Sequence, residues 1–213
     1  MKKIIDLKDL LKHEILDLYS AEEQIIDALP DMIEKANDAG LKESLSNYLN
    51  VSKIHKDRLD SIKKSLMGNE EETNDGFFSS LFGGSNSVTS RGVEGLVKEA
   101  GKIMNEDMTT EAMDAAIIAS VQKMGHYEIA GYGTVRAYAS ELKLDSIAIE
   151  LGKTLFEVYE ADRSLTKLAV GQVNPDAENA IGSHEEEGAM EDDYDRLTNS
   201  ISIMSSSDPE ADD

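Results

Sequence analysis

Four stretches of this chain carry apolar residues at alternating steps of four and three, and the links between them are short, long and short. That spacing holds one face of a helix. The predicted helices run from about Asp6 to Asn37, Leu41 to Met67, Thr110 to Ser140 and Asp145 to Val170. Asn37-Asp38-Ala39-Gly40 joins the first two, with Gly40 as the stop signal, and a few residues join the last two. Short links of this kind make antiparallel hairpins. Residues 68–109 lie between the hairpins. They read as a Gly-, Ser- and Asn-rich connection, tacked down by Phe77, Phe78, Leu81 and Phe82, with a short helix from about Val93 to Met104.

A simple up-down-up-down bundle uses short loops throughout. One long crossover between the second and third helices is the ferritin-like arrangement. The predicted fold is therefore all-α: a ferritin-like antiparallel four-helix bundle over residues 1–172. Asp6 is the predicted N-cap of the first helix, with Asp9 in the first turn, where the helix dipole favours an anion. Pro30 is expected to kink that helix near Ala28.

Residues 173–213 break the pattern. They hold 13 acidic residues and one arginine, with Pro175, the Glu185-Glu186-Glu187 run and a Ser-rich end. A segment without a sustained apolar face cannot offset its ordering entropy. An acidic, disordered tail is expected, with Leu197, Ile201, Ile203 and Met204 as a docking contact for a protein partner.

The net charge of −22 argues against nucleic acid or an anionic membrane as partner, and favours cations, including metal ions. No segment approaches the roughly 20 apolar residues of a membrane span, and the N-terminus lacks an apolar core of signal type. A cytoplasmic protein is expected. With no cysteine in the chain, disulfides, thiolate metal sites and thiol nucleophiles are excluded.

Each apolar stripe contains an ionisable residue near its middle. The stripes read Leu11, Ile15, Leu18, Glu22, Ile25, Leu29; then Leu41, Leu45, Tyr48, Ser52, His55, Leu59, Ile62, Leu66. The other two read Ile117, Val121, Met124, Glu128, Gly131, Val135 and Leu151, Leu155, Val158, Asp162, Leu165, Ala169. Burying one unpaired charge costs several kcal/mol. Four converging on one layer require a shared counter-charge. A metal ion supplies it, and carboxylates with histidine suit iron or manganese.

Counting from the hairpin turns places Glu22 level with His55. The partner of Glu128 falls near residue 158. Glu157 there has the height, and Asp162, about one turn away, has the face. The candidate metal ligands are Glu22, His55, Glu128, Glu157 and Asp162. Read singly, each also has a structural explanation. Glu22 and Glu128 can be held by Tyr19, Tyr48, Tyr127 or Tyr132, and Asp162 can pair with Arg136 or Arg163. His126-Tyr127-Glu128-Ile129-Ala130-Gly131-Tyr132-Gly133-Thr134 is the most distinctive stretch. Two glycines inside a helix cost roughly 1 kcal/mol each relative to alanine, and close helix approach is the simplest reason for both.

These residues resemble the YciE/YciF family of ferritin-like stress proteins. The matching segments are Leu18 to Gln24 with Ala28-Leu29-Pro30, His55 to Leu59, Val93 to Leu96, His126 to Thr134, Thr154 to Glu157, and Asp162 with Leu165-Thr166. The resemblance implies a homodimer of four-helix bundles and a di-metal centre like that of rubrerythrins. The sequence departs from it where glutamate is common in the family, at Asn50, Val51, Gly125 and Val158. The Glu-x-x-His spacing of di-iron bundles is absent from the second and fourth helices.

Two functions follow. One is a stress-response protein that binds iron or manganese in the bundle core, with ferroxidase or peroxide-consuming activity. The other is a metal-free dimeric helical scaffold or interaction module acting in stress response. Storage in a ferritin-like cage is a weaker third, since neither crossover nor tail defines a cage contact.

Overall fold

The computed structural model describes residues 4–67 and 88–180. The expected anchors Phe77, Phe78, Leu81 and Phe82 and the tail contact at residues 197–204 lie outside the described residues. Residues 1–178 form one compact unit and residues 179–213 a second, of which only 179 and 180 are described.

Among the described residues five main helices are present: α1 (Leu7–Lys35), α2 (Ala39–Met67), α3 (Arg91–Ile103), α4 (Thr110–Glu141) and α5 (Asp145–Leu168). The described residues contain no strand. α1 packs on α2 and α4, and α5 packs on α4 and α2. The long four therefore form a square in which α2 and α4 are diagonal, and the chain crosses between them. This is the expected ferritin-like bundle. α3 lies against α1 and α4.

Local chemistry sets the helix ends. Asp6 accepts from the Asp9 amide at 2.8 Å, and Thr109 caps α4 through the Ala112 amide at 3.2 Å. Both satisfy an amide that the first turn leaves free. The α1–α2 turn differs from the sequence reading. Gly40 lies inside the first turn of α2 and stops nothing. The chain leaves α1 at Ala36, which is extended. Asp38 then accepts from the Leu41 amide at 2.7 Å. The Asp114 carboxylate of α4 accepts from the amides of Asn37 (2.7 Å) and Asp38 (2.9 Å), fixing the turn to the opposite hairpin. At the other end Lys143 adopts the left-handed conformation (φ 59°), and the Leu144 amide closes onto the Ala139 carbonyl at 2.9 Å. This is how a helix end satisfies its last carbonyls.

α1 continues through Pro30. α5 passes into a π-helical turn, Ala169–Val173, and then α6, Asn174–Asn179, so the chain stays helical beyond residue 172. Gln172 donates to Asp38 at 2.8 Å.

The apolar core has two parts, one at each end of the bundle. Ile25, Leu29, Leu41, Leu45, Ile117, Val121, Met124 and Leu165 belong to one. Leu11, Ile15, Leu18, Leu59, Ile62, Val135, Leu151 and Val158 belong to the other. Glu22, Ser52, His55 and Glu128 are fully buried polar residues, and they stand at mid-height in the same stripes. The two motif glycines differ. A Cβ at Gly131 would lie 2.6 Å from Leu18 Cδ2, so close helix approach explains it. Gly133 has nothing within 4 Å, which removes that explanation there.

Candidate metal centre

Glu22 comes from α1, His55 from α2 and Glu128 from α4, each at the position where an apolar residue would continue its stripe. One ligand atom from each lies within 4.8 Å of the others. Two buried carboxylates and an imidazole form a donor set that could hold a metal ion.

Two tyrosines orient the acids. Tyr132 donates to Glu22 Oε1 at 2.6 Å, and Tyr48 donates to Glu128 Oε2 through a short hydrogen bond. These are two of the four tyrosines named as structural partners. The other two go elsewhere: Tyr127 donates to Asp17 at 2.5 Å, and Tyr19 lies under the Lys63 ammonium, 3.8 Å away. The remaining oxygens, Glu22 Oε2 and Glu128 Oε1, are buried outside hydrogen-bond geometry, as is Ser52 Oγ, although Glu128 and Ser52 lie close enough to Glu22 to ease its ionisation.

Burial dominates the electrostatics. It pushes the Glu22 carboxyl up to about 7, with the Tyr132 hydroxyl partly opposing. Glu128 is pushed well above the usual carboxylate range by burial and then by the neighbouring Glu22. Each acid resists ionising beside the other. His55 is lowered by burial, against the pull of Glu128 and Glu157, which favours the neutral imidazole.

Glu157 on α5 approaches His55 from the other side. Its Oε2 lies 3.0 Å from His55 Nε2, while His55 Nδ1 faces Glu22 Oε1 at 3.2 Å. Arg58, one turn along α2, grips both Glu157 oxygens at 2.8 and 3.3 Å. That pair holds the Glu157 carboxyl below its usual range, so it is ionised. An ionised acceptor at Nε2 draws the imidazole proton there and leaves the Nδ1 lone pair facing Glu22 and Glu128.

Asp162 does not join them. It accepts from Gln122 at 3.0 Å and lies 3.5 Å from His126, between α4 and α5. Of the two fourth-helix candidates, Glu157 reaches His55 and Asp162 turns to α4. Arg58 is a site residue that the apolar stripes do not name. Its position three residues after His55, on the same helix face, was the available signal.

A bundle with one long crossover and a buried carboxylate–imidazole layer defines the class: a ferritin-like helical protein. Residues 6–178 match the family described as "Domain of unknown function (DUF892)", and the chain belongs to that family. Protein YciF of Escherichia coli (strain K12) is 32% identical over 177 residues, covering 81% of this chain and 96% of YciF. The crystal structure of the E. coli stress protein YciF superposes with a TM-score of 0.67 at 30% identity, over 80% of this chain and 99% of that one. YcfI from Rhodopseudomonas palustris gives 0.65 at 35% identity, over 78% and 96%. The resemblance read from the motifs is confirmed. Among the described residues no helix is long and apolar enough to cross a membrane.

Proposed function

We propose that this YciF-like chain is a stress-response metalloprotein that binds one divalent first-row ion, iron or manganese, between Glu22, His55 and Glu128. The observation that carries the reading is the pair of orphaned oxygens, Glu22 Oε2 and Glu128 Oε1, buried beside a bare imidazole lone pair. An unpartnered buried acceptor is costly. Two ionised carboxylates with a neutral imidazole carry a charge of −2, which a divalent ion cancels. Glu157 and Arg58 cancel each other and stand outside the ligand set, with Glu157 fixing the imidazole as second carboxylates do at histidine metal sites.

One ion, not two, matches the donors at hand. Gly125 and Val158 flank the layer without ligand atoms: a Cβ on Gly125 would meet Tyr48 Oη at 3.5 Å and Val158 Cγ1 at 3.9 Å. Glu157 is committed to Arg58 and His55. When bound, such an ion supplies a Lewis-acidic, redox-active centre, which supports ferrous-iron oxidation or peroxide consumption as the activity class. The chain's own groups do the rest. Tyr48 and Tyr132 orient the acids, His55 Nδ1 is kept free of a proton, and the two apolar clusters exclude water above and below. The family resemblance supports a homodimer as the assembly.

Anaerobic loading of chelator-treated full chain with manganese(II) or iron(II), followed by elemental analysis, tests this. About one equivalent is expected for the unaltered chain, and none for His55→Ala or Glu128→Gln. Failure to retain either metal, or retention unchanged by both substitutions, contradicts it and favours the scaffold reading.

A further inference from the structure

Ser52 is the fourth buried polar residue of the mid-height layer and stands outside the ligand set. It is fully buried and lies on α2 in the stripe that runs Tyr48, Ser52, His55. A serine inside a helix commonly turns its hydroxyl to the carbonyl four residues back. Ser44, Ser46, Ser61 and Ser120 all do so, at 2.8, 2.7, 3.0 and 2.8 Å. Ser52 does not. Its Oγ has no partner in hydrogen-bond geometry, although the Tyr48 carbonyl is the one four residues back. The hydroxyl lies instead beside the Glu22 carboxyl, near enough to ease its ionisation.

The neighbours of Ser52 on α2 define what surrounds it. Four residues before it, Tyr48 holds Glu128 Oε2. Three residues after it, His55 Nδ1 faces Glu22 Oε1. Ser52 thus stands between the two α2 side chains that reach the two acids. The free oxygens of those acids, Glu22 Oε2 and Glu128 Oε1, are buried without a partner as Ser52 Oγ is. In di-iron bundles the residue three before such a histidine is a glutamate ligand. A serine stops short of where a glutamate would reach, and it brings no charge. Three protein donors leave an ion with a coordination position for a small exchangeable molecule. Two carboxylates already cancel a divalent charge, so a neutral molecule suits that position. A hydroxyl both donates and accepts, which matches a molecule that carries its own protons.

We propose that Ser52 anchors the ion's non-protein ligand, a neutral oxygen donor of the size of water or hydrogen peroxide, through a hydrogen bond with its hydroxyl. The proposal rests on the metal reading above and adds the group that recognises this molecule.

Nitric oxide, a neutral diatomic that binds iron(II) at an open position, is the probe. Iron(II) is loaded anaerobically into the full chain, nitric oxide is titrated, and the adduct is followed by electron paramagnetic resonance. The unaltered chain is expected to form the adduct. Ser52→Ala is expected to retain about one equivalent of iron(II) but to bind nitric oxide about fivefold or more weakly, the loss of one hydrogen bond. Its metal-free melting temperature should be no lower, because a hydroxyl without a partner holds no part of the fold. A lower melting temperature makes the hydroxyl structural, and loss of iron(II) makes it a ligand. Nitric oxide binding that is absent, or equal in the two proteins, leaves it nothing to anchor. Each of these results overturns the proposal and leaves the metal reading standing. An unaltered chain that retains no iron(II) overturns both.

Discussion

His55 Nε2 lies 3.0 Å from Glu157 Oε2, and this contact decides which edge of the imidazole is offered to the core. Glu157 is ionised because Arg58 holds it, so the ring proton sits at Nε2 and Nδ1 is left as a donor atom. Glu157→Ala should therefore weaken manganese affinity by about 10–100-fold with the stoichiometry unchanged, the size typical of losing such an orienting carboxylate. Glu157→Gln, whose amide oxygen still accepts from Nε2, should lie closer to the unaltered chain. Calorimetric titration checks both. Loss of all binding in Glu157→Ala would make Glu157 itself a ligand.

The metal-free protein should lose stability as pH rises. Burial lifts Glu22 from 4.5 to about 7 in the folded chain. Between those values the folded state binds the extra proton, so this contribution is full below pH 4.5, declines through pH 7 and is gone above it. The span corresponds to on the order of 3 kcal/mol. Glu128 is displaced in the same direction. His55, lowered by burial, acts oppositely: its contribution is present above pH 6.5 and lost as pH falls. Urea denaturation of chelator-treated protein at pH 5 and pH 8 isolates Glu22, because Glu22→Gln should flatten the difference. Equal slopes for the two proteins would contradict the assignment.

Metal binding should invert that slope. The ion needs Glu22 and Glu128 ionised, so the stabilisation added by manganese grows with pH as the two protons leave. Melting temperature with and without manganese at pH 6 and pH 8 measures it, and a manganese effect independent of pH would count against these two carboxylates as ligands.

Three glycines divide by what surrounds them. A Cβ on Gly92 would collide with the Tyr127 ring, whose hydroxyl donates to Asp17 at 2.5 Å and meets Ser90 Oγ at 3.0 Å. Gly92→Ala should cost about 1–3 kcal/mol by displacing that ring and loosening α3. Gly131→Ala presses on the flexible end of Leu18, 2.6 Å away, and should cost less. Gly133→Ala meets nothing within 4 Å and should stabilise the helix by up to about 1 kcal/mol. Denaturant unfolding of the three variants orders them.

The bundle was legible because it is written in periodicity. Four stripes in steps of four and three name the inward faces, and link lengths name the neighbours. Equal counting from the first turn placed Glu22 beside His55 for the same reason. Two features were not legible. The α1–α2 turn depends on Asp114, a long-range carboxylate accepting from Asn37 and Asp38; local propensity carries no record of it and points to Gly40, which lies inside α2. Asp162 shares a stripe with Val158 and Leu165, but partners on neighbouring helices decide where each carboxylate goes: Asp162 takes Gln122 on α4, while Glu157 is drawn to Arg58 and His55 on α2.

The central claim is that one ion sits among Glu22, His55 and Glu128. Anomalous diffraction at the manganese edge, from crystals of the full chain grown with manganese(II), tests it most directly. The account predicts a single strong peak bounded by the Glu22 and Glu128 carboxylates and His55 Nδ1, with Glu157 still on Nε2. No peak at that position, or two peaks within the layer, would contradict it.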